Sequence, residues 1–221
     1  MPVGAAVAAF ERIQPEWLAS EVRLGILSFG GGALLSAVAL VLVPEGISNL
    51  SPVAVSVAFL MGGFCFLTLD VVLDRLESPM GNLVGMLSDF IPEALALGAA
   101  VAAGGNAVVL LAGLMALQNL PEGFNAFREM SVKSDTHNRT LLRAYTLLAL
   151  AGPLCGLIGY FYLADKPVVV STIMVFASGG ILYIVFGDIA PQAKVSRQWL
   201  PPMGAVAGFL LGVIGQMMTT N

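Results

Sequence analysis

The stretch DFIPEALALGAAVAAGGNAVVLLAGLMALQNLPEG, residues 89–123, holds two apolar arms joined by Gly104-Gly105-Asn106. Each arm is interrupted by a Pro-Glu pair where a membrane helix would ordinarily carry Leu or Val. Both arms belong to longer apolar segments, 82–104 and 106–128, and about 20 such residues suffice to cross a hydrocarbon core of ~30 Å. The whole chain shares this character: 57% of its 221 residues are hydrophobic and 11% charged, with a mean hydropathy of +0.89. Soluble globular domains hold roughly 45–50% apolar and about 25% charged residues. The expectation is an all-α integral membrane protein in which residues 1–221 form a single membrane domain, because no polar block is long enough to fold alone.

Seven segments are long and apolar enough to span: 24–43, 53–74, 82–104, 106–128, 141–163, 167–187 and 201–218. Clusters such as PEGISNLSP (44–52) and ESPMG (77–81) separate them, and the longest hydrophilic stretch is a loop over 128–140. Lys and Arg fall unevenly on alternate sides. Arg12, Arg23, Arg75, Arg128, Lys133, Arg139, Arg143, Lys194 and Arg197 lie on one side, and Lys166 alone lies on the other. This asymmetry places residues 11–23 and the 128–140 loop in the cytoplasm and the C-terminus, Asn221, outside, in a plasma (cytoplasmic) membrane. The opening MPVGAAVAAF reaches only ~15 Å as a helix, half a bilayer. It lacks the basic n-region and cleavage site of a signal peptide. Residues 1–23 are therefore expected to be the inner part of a first span plus a cytoplasmic loop, ahead of a seven-helix bundle over 24–218.

The motifs DFIPEA (89–94) and QNLPEG (118–123) stand 29 residues apart, with looser relatives at VLVPEG (41–46) and GDIAPQA (187–193). Asp89 and Glu93 are separated by one helical turn, as are Gln118 and Glu122, so each pair shares a face. In antiparallel helices counted from residues 82 and 128, Asp89 lies ~10 Å deep and Glu122 ~9 Å, while Glu93 lies ~16 Å and Gln118 ~15 Å deep. The four side chains are thus expected to converge near mid-membrane. Pro92 and Pro121 cannot donate to the carbonyls of Ser88 and Leu117, which frees two more oxygens at expected helix kinks. An intramembrane carboxylate costs about 2.5–3.5 kcal/mol on insertion scales. Three together call for a bound cation or shared protons.

A net charge of −4 and dispersed basic residues exclude a nucleic-acid surface. Cys65 and Cys155 fall within apolar spans and read as buried thiols rather than a disulfide or metal thiolates. An intramembrane enzyme would need an activated nucleophile or an open metal position. The cluster offers neither HExxH nor GxSxG, so no enzyme and no prosthetic group is expected.

The two central motifs resemble those of the ZIP (Zrt/Irt-like) divalent metal transporters, whose fourth and fifth helices carry His-Asn-x-x-(Asp/Glu)-Gly and (His/Gln)-(Asn/Asp/Glu)-x-Pro-Glu-Gly. The likeness extends to LSFGGGALLSAVALVLVPEG (27–46), AGPLCGLIGY (151–160) and VFASGGILYIVFGDIAPQA (175–193), which look like the second, sixth and seventh helices of that family. It implies an eight-helix bundle, here without most of its first helix, together with alternating access and a homodimer. It further implies a first metal position at Asp89, Glu93, Gln118 and Glu122. The second position maps onto Phe90, Asn119 and Gly152, bridged by Glu93 and Glu122. Phe90 and Gly152 offer no ligand, so one site is expected rather than two.

Zinc is the family's usual cargo, but an oxygen-only set without His suits harder cations, which favours manganese, iron(II) or magnesium. Ser88, Glu45 and Asp188 are pathway candidates, with Glu45 at the outer and Asp188 at the cytoplasmic end of its span. Asp70 and Asp74 form either an exit site or partners for Arg75 and Arg143. The lone histidine, His137, reads as solvated surface. The implied function is transport of divalent cations toward the cytoplasm, the alternative being a degenerate, non-transporting relative with a structural or regulatory role.

Overall fold

The computed structural model describes residues 1–10, 21–75, 81–104, 108–133, 137–193 and 199–220. All regular structure among them is helical. The elements are α1 (Pro2–Phe10), α2 (21–47), α3 (Pro52–Arg75), α4 (Gly81–Ala103), α5 (Val108–Lys133), α6 (Asn138–Leu148), α7 (151–163), α8 (Pro167–Ala193) and α9 (Leu200–Thr220). Six stretches are long and apolar enough to cross a membrane: Arg23–Ile47, Pro52–Arg75, Leu83–Ala102, Asn138–Leu163, Pro167–Ala193 and Leu200–Thr219. These make the chain a multi-pass, all-helical membrane protein. The seventh expected span lies in α5, whose 26 residues reach ~39 Å. Its polar residues Gln118, Asn119, Glu122 and Asn125 dilute its apolar character, so the expected count of seven is not met on length and composition.

Several expected boundaries move. The separator at 44–52 begins too early, because α2 runs through Pro44 to Ile47. A proline supplies no N–H and its ring crowds the carbonyl four residues back. A π turn over Val38–Leu42 absorbs this, with the Val43 N–H reaching the carbonyl of Val38. The same device stands before Pro191, where a π turn over Val185–Ile189 carries α8 on to Ala193. Asp188 therefore lies within a helix rather than at its end. The expected 128–140 loop is also shorter. Helix α5 continues to Lys133 because REMSVK, the residues after Phe127, include no breaker, and α6 starts at Asn138. The expected span 141–163 falls within the single stretch Asn138–Leu163, with a turn at Ala149–Leu150 where Pro153 provides no N–H for Ala149 and Gly152 donates to that carbonyl instead, at 3.3 Å. Arg12, Lys194 and Arg197, which enter the charge count, and Asn221, expected on the outer side, lie outside the described residues.

Small residues set the packing. Between α3 and α8, a side chain at Gly62 would run into the Phe176 carbonyl and one at Gly179 into the Phe59 carbonyl. Close backbone approach of this kind drives association where lipid leaves no hydrophobic gain between helices. α2 packs on α9, α4 on α7 and α1 on α5. The α1 stub is thus a helix seated on the motif-bearing α5, with Gly123 directly beneath Met1. α2 and α8 are the most enclosed of the apolar spans. α3, α7 and α9 turn Phe64, Leu60, Phe161, Leu154, Leu210 and Met217 outward, as lipid-facing helices do. Cys65 is exposed on α3 and Cys155 is half-buried; both are free thiols. The expectation of two buried thiols is thus corrected, because Cys65 points to the lipid side.

Candidate functional site

α4 and α5 are antiparallel neighbours joined by the turn after Ala103, where Gly104 adopts a left-handed φ of 69° that glycine tolerates without cost. Their prolines, Pro92 and Pro121, sit inside continuous helices. The level match expected for Glu93 and Gln118 is realised: Gln118 Nε2 donates to Glu93 Oε2 at 2.7 Å. Glu93 is 0% and Gln118 1% exposed. Asp89 and Asn119 are buried beside them, and the Asn119 amide donates to the Met115 carbonyl of its own helix. The carboxyl groups of Asp89, Glu93 and Glu122 stand within electrostatic reach of one another, and the Met1 amino group within reach of Glu122.

The shortage at this place is of donors, and the oxygens bear it. Asp89 Oδ1, Glu93 Oε1, Gln118 Oε1, Asn119 Oδ1, Glu122 Oε1 and Asn125 Oδ1 are all buried without a hydrogen-bond partner. Each such atom costs about 1–3 kcal/mol in a protein interior. All six come from α4 and α5, and all are oxygens, the donor type preferred by hard divalent cations. Among the described residues no three His, Cys, Asp or Glu side chains gather closely enough to grip an ion by themselves. A cation here would draw on the amide oxygens as well as the carboxylates.

A cavity of about 490 Å³ opens between α4–α5 on one side and α2, α3 and α8 on the other. Asp89, Glu122 and Asn125 lie at its head. Asp70, Asp74, Glu129 and Asp188 line it nearer the helix ends that carry Arg23 and Arg75. Arg23 also lines it, within electrostatic reach of Glu129 and Asp188. Asp70 accepts a hydrogen bond from Tyr183 at 2.7 Å. Asp188 accepts one from Gln192 at 2.6 Å.

Other candidates stand apart. Ser88 donates to the Val84 carbonyl of its own helix at 2.7 Å and does not line the cavity. Glu45 lies exposed at the opposite end of the bundle, its carbonyl accepting from Ser48. His137 is exposed ahead of α6, as expected of solvated surface. Phe90 and Gly152 prove complementary, since a Cβ on Gly152 would lie 2.5 Å from Phe90 Cζ. The ring fills the space that a side chain at 152 would need.

Asn125 and Glu129 were not singled out from the sequence. The sequence does carry a signal for them: Gln118, Glu122, Asn125 and Glu129 recur at helical spacing along one face, extending the polar face of α5 past the Pro-Glu motif. No family model matches the chain, and no curated protein matches it.

Proposed function

We propose that this protein is a carrier for divalent metal cations, of ZIP-like design, moving its cargo toward the cytoplasm. The observation that carries the reading is the set of six buried, unpartnered oxygens on α4 and α5, three of which, on Asp89, Glu122 and Asn125, belong to residues that line a cavity rich in acids. In this reading α5 completes a set of seven spans. The helix ends that carry Arg23 and Arg75 face the cytoplasm, which makes the cavity inward-facing. The cation binds among Asp89, Glu93, Gln118, Asn119 and Glu122, and leaves past Asp188, Asp70 and Asp74. Glu45 stands on the outer approach. Rocking of α4–α5 against α2, α3 and α8 would close the cavity and expose the site to the other side.

The cargo class is zinc, iron or manganese. The oxygen-only donor set favours manganese or iron(II) over strict zinc selectivity, and the Phe90 ring against Gly152 favours one ion over two. The membrane is the cytoplasmic (plasma) membrane, the protein is no enzyme, and a homodimer is part of the proposal. The dispersed acids, with no three gathered into a ligating group, favour a second reading: a non-transporting relative with a structural or regulatory role.

Uptake into proteoliposomes separates the two. Mn, Fe(II), Zn, Cd and Mg would be compared for the wild type and for Glu93→Gln combined with Glu122→Gln. The carrier reading expects saturable uptake that the double variant abolishes. Absence of uptake for every cation, with folded and oriented protein, would sink it in favour of the non-transporting reading.

A further inference from the structure

The six unpartnered oxygens divide into two tiers. Glu93, Gln118 and Asn119 are buried and do not line the cavity, whereas Asp89, Glu122 and Asn125 line it. Asn125 lies one turn beyond Glu122 on α5, ~4.5 Å further along the helix and toward the open end. Its side chain is 8% exposed, and its Oδ1 is buried with no hydrogen-bond partner. A buried amide held in this way bears a desolvation cost for no internal return. We infer that Asn125 is a cation ligand at the release tier, where it takes the ion with Asp89 and Glu122 as the ion leaves Glu93, Gln118 and Asn119.

The inference rests on the carrier reading and deepens it. A neutral amide oxygen replaces a lost water of hydration without adding charge. A third carboxylate at this point would hold the ion too tightly to release it, since conduction needs binding that is favourable yet weak enough to leave. The two-tier arrangement therefore predicts opposite effects of two substitutions. Asn125→Leu deletes the oxygen at similar size. Asn125→Asp keeps the oxygen and adds a charge.

The experiment measures Mn(II) binding to purified protein by equilibrium dialysis and Mn(II) uptake into proteoliposomes, for the wild type and both variants. Binding is expressed per folded molecule. Asn125→Leu is expected to weaken Mn(II) binding and raise the uptake KM about tenfold, equivalent to ~1.4 kcal/mol. Asn125→Asp is expected to tighten binding by a similar factor while lowering the maximal rate. A packing role alone would reduce the yield of folded protein and leave Mn(II) affinity unchanged in both variants. If Asn125→Leu does not fold, Asn125→Asp decides, because unchanged affinity there also overturns the inference. Wild-type protein that neither binds nor carries Mn(II) overturns the carrier reading and this inference together. Normal wild-type transport with unaltered variants overturns the inference alone.

Discussion

Replacing Gly152 by alanine places a methyl group 2.5 Å from Phe90 Cζ and 3.0 Å from Cε1, well inside van der Waals contact. The Phe90 ring is half-buried against the main apolar core and also borders an apolar cavity shared with Gly152, Pro153 and Tyr160, so part of the overlap is relieved by ring movement and the cost falls toward the low end of the range for overpacking. Overpacking of this kind costs ~1–3 kcal/mol. At ~2–4 °C per kcal/mol for a chain of this size, Gly152→Ala should lower the melting temperature by about 4 °C. Phe90→Leu removes the ring atoms that collide, so in that background the same alanine should cost no more than ~0.5 kcal/mol. The two changes should therefore couple by about 1 kcal/mol, outside the additivity of independent sites. Scanning fluorimetry on the four proteins of the cycle, in detergent micelles, measures this. Effects that add within ~0.5 kcal/mol would refute the claim that the ring occupies the space beside Gly152.

The remaining expectations are more direct. Gln118→Leu removes the donor to buried Glu93 and should destabilise the fold by ~1–3 kcal/mol, read as a lower melting temperature; an unchanged value would show that the 2.7 Å bond is dispensable. Gly179→Leu should force α3 and α8 apart and abolish folded yield on size-exclusion chromatography, while Gly113→Ala, with open space around it, should be neutral. Tyr183→Phe deletes the exposed bond to Asp70 and should cost under ~1 kcal/mol by thermal unfolding. In a background lacking Cys65 and Cys155, Asp188→Cys should react with a membrane-impermeant thiol reagent only from the cytoplasmic side and Glu45→Cys only from outside. Reaction of both from one side would overturn the orientation.

How far the sequence could be read depended on the range of the interaction. The pairing of Glu93 with Gln118 was legible, because a short turn and a fixed rise per residue determine which levels of two antiparallel helices meet. The passage of α2 through Pro44 was not. A proline signals a missing donor, but whether a chain breaks or widens into a π turn depends on what packs around it. The end of α5 was missed for a related reason. Hydropathy falls at Arg128 although the helix continues, and Arg128 itself is buried against neighbours that no local window contains.

The sequence by itself determined the helical, membrane-spanning class, the polar face of each motif and their common depth, since these follow from composition and helical geometry alone. Only the tertiary structure decided that Asn125 joins the site and Ser88 does not, that Phe90 fills the space over Gly152, and that acids from α3 and α8 share one cavity with α4 and α5. Those outcomes depend on close contacts between residues far apart in the chain, and small residues such as Gly62 and Gly179 set them by allowing backbones to touch.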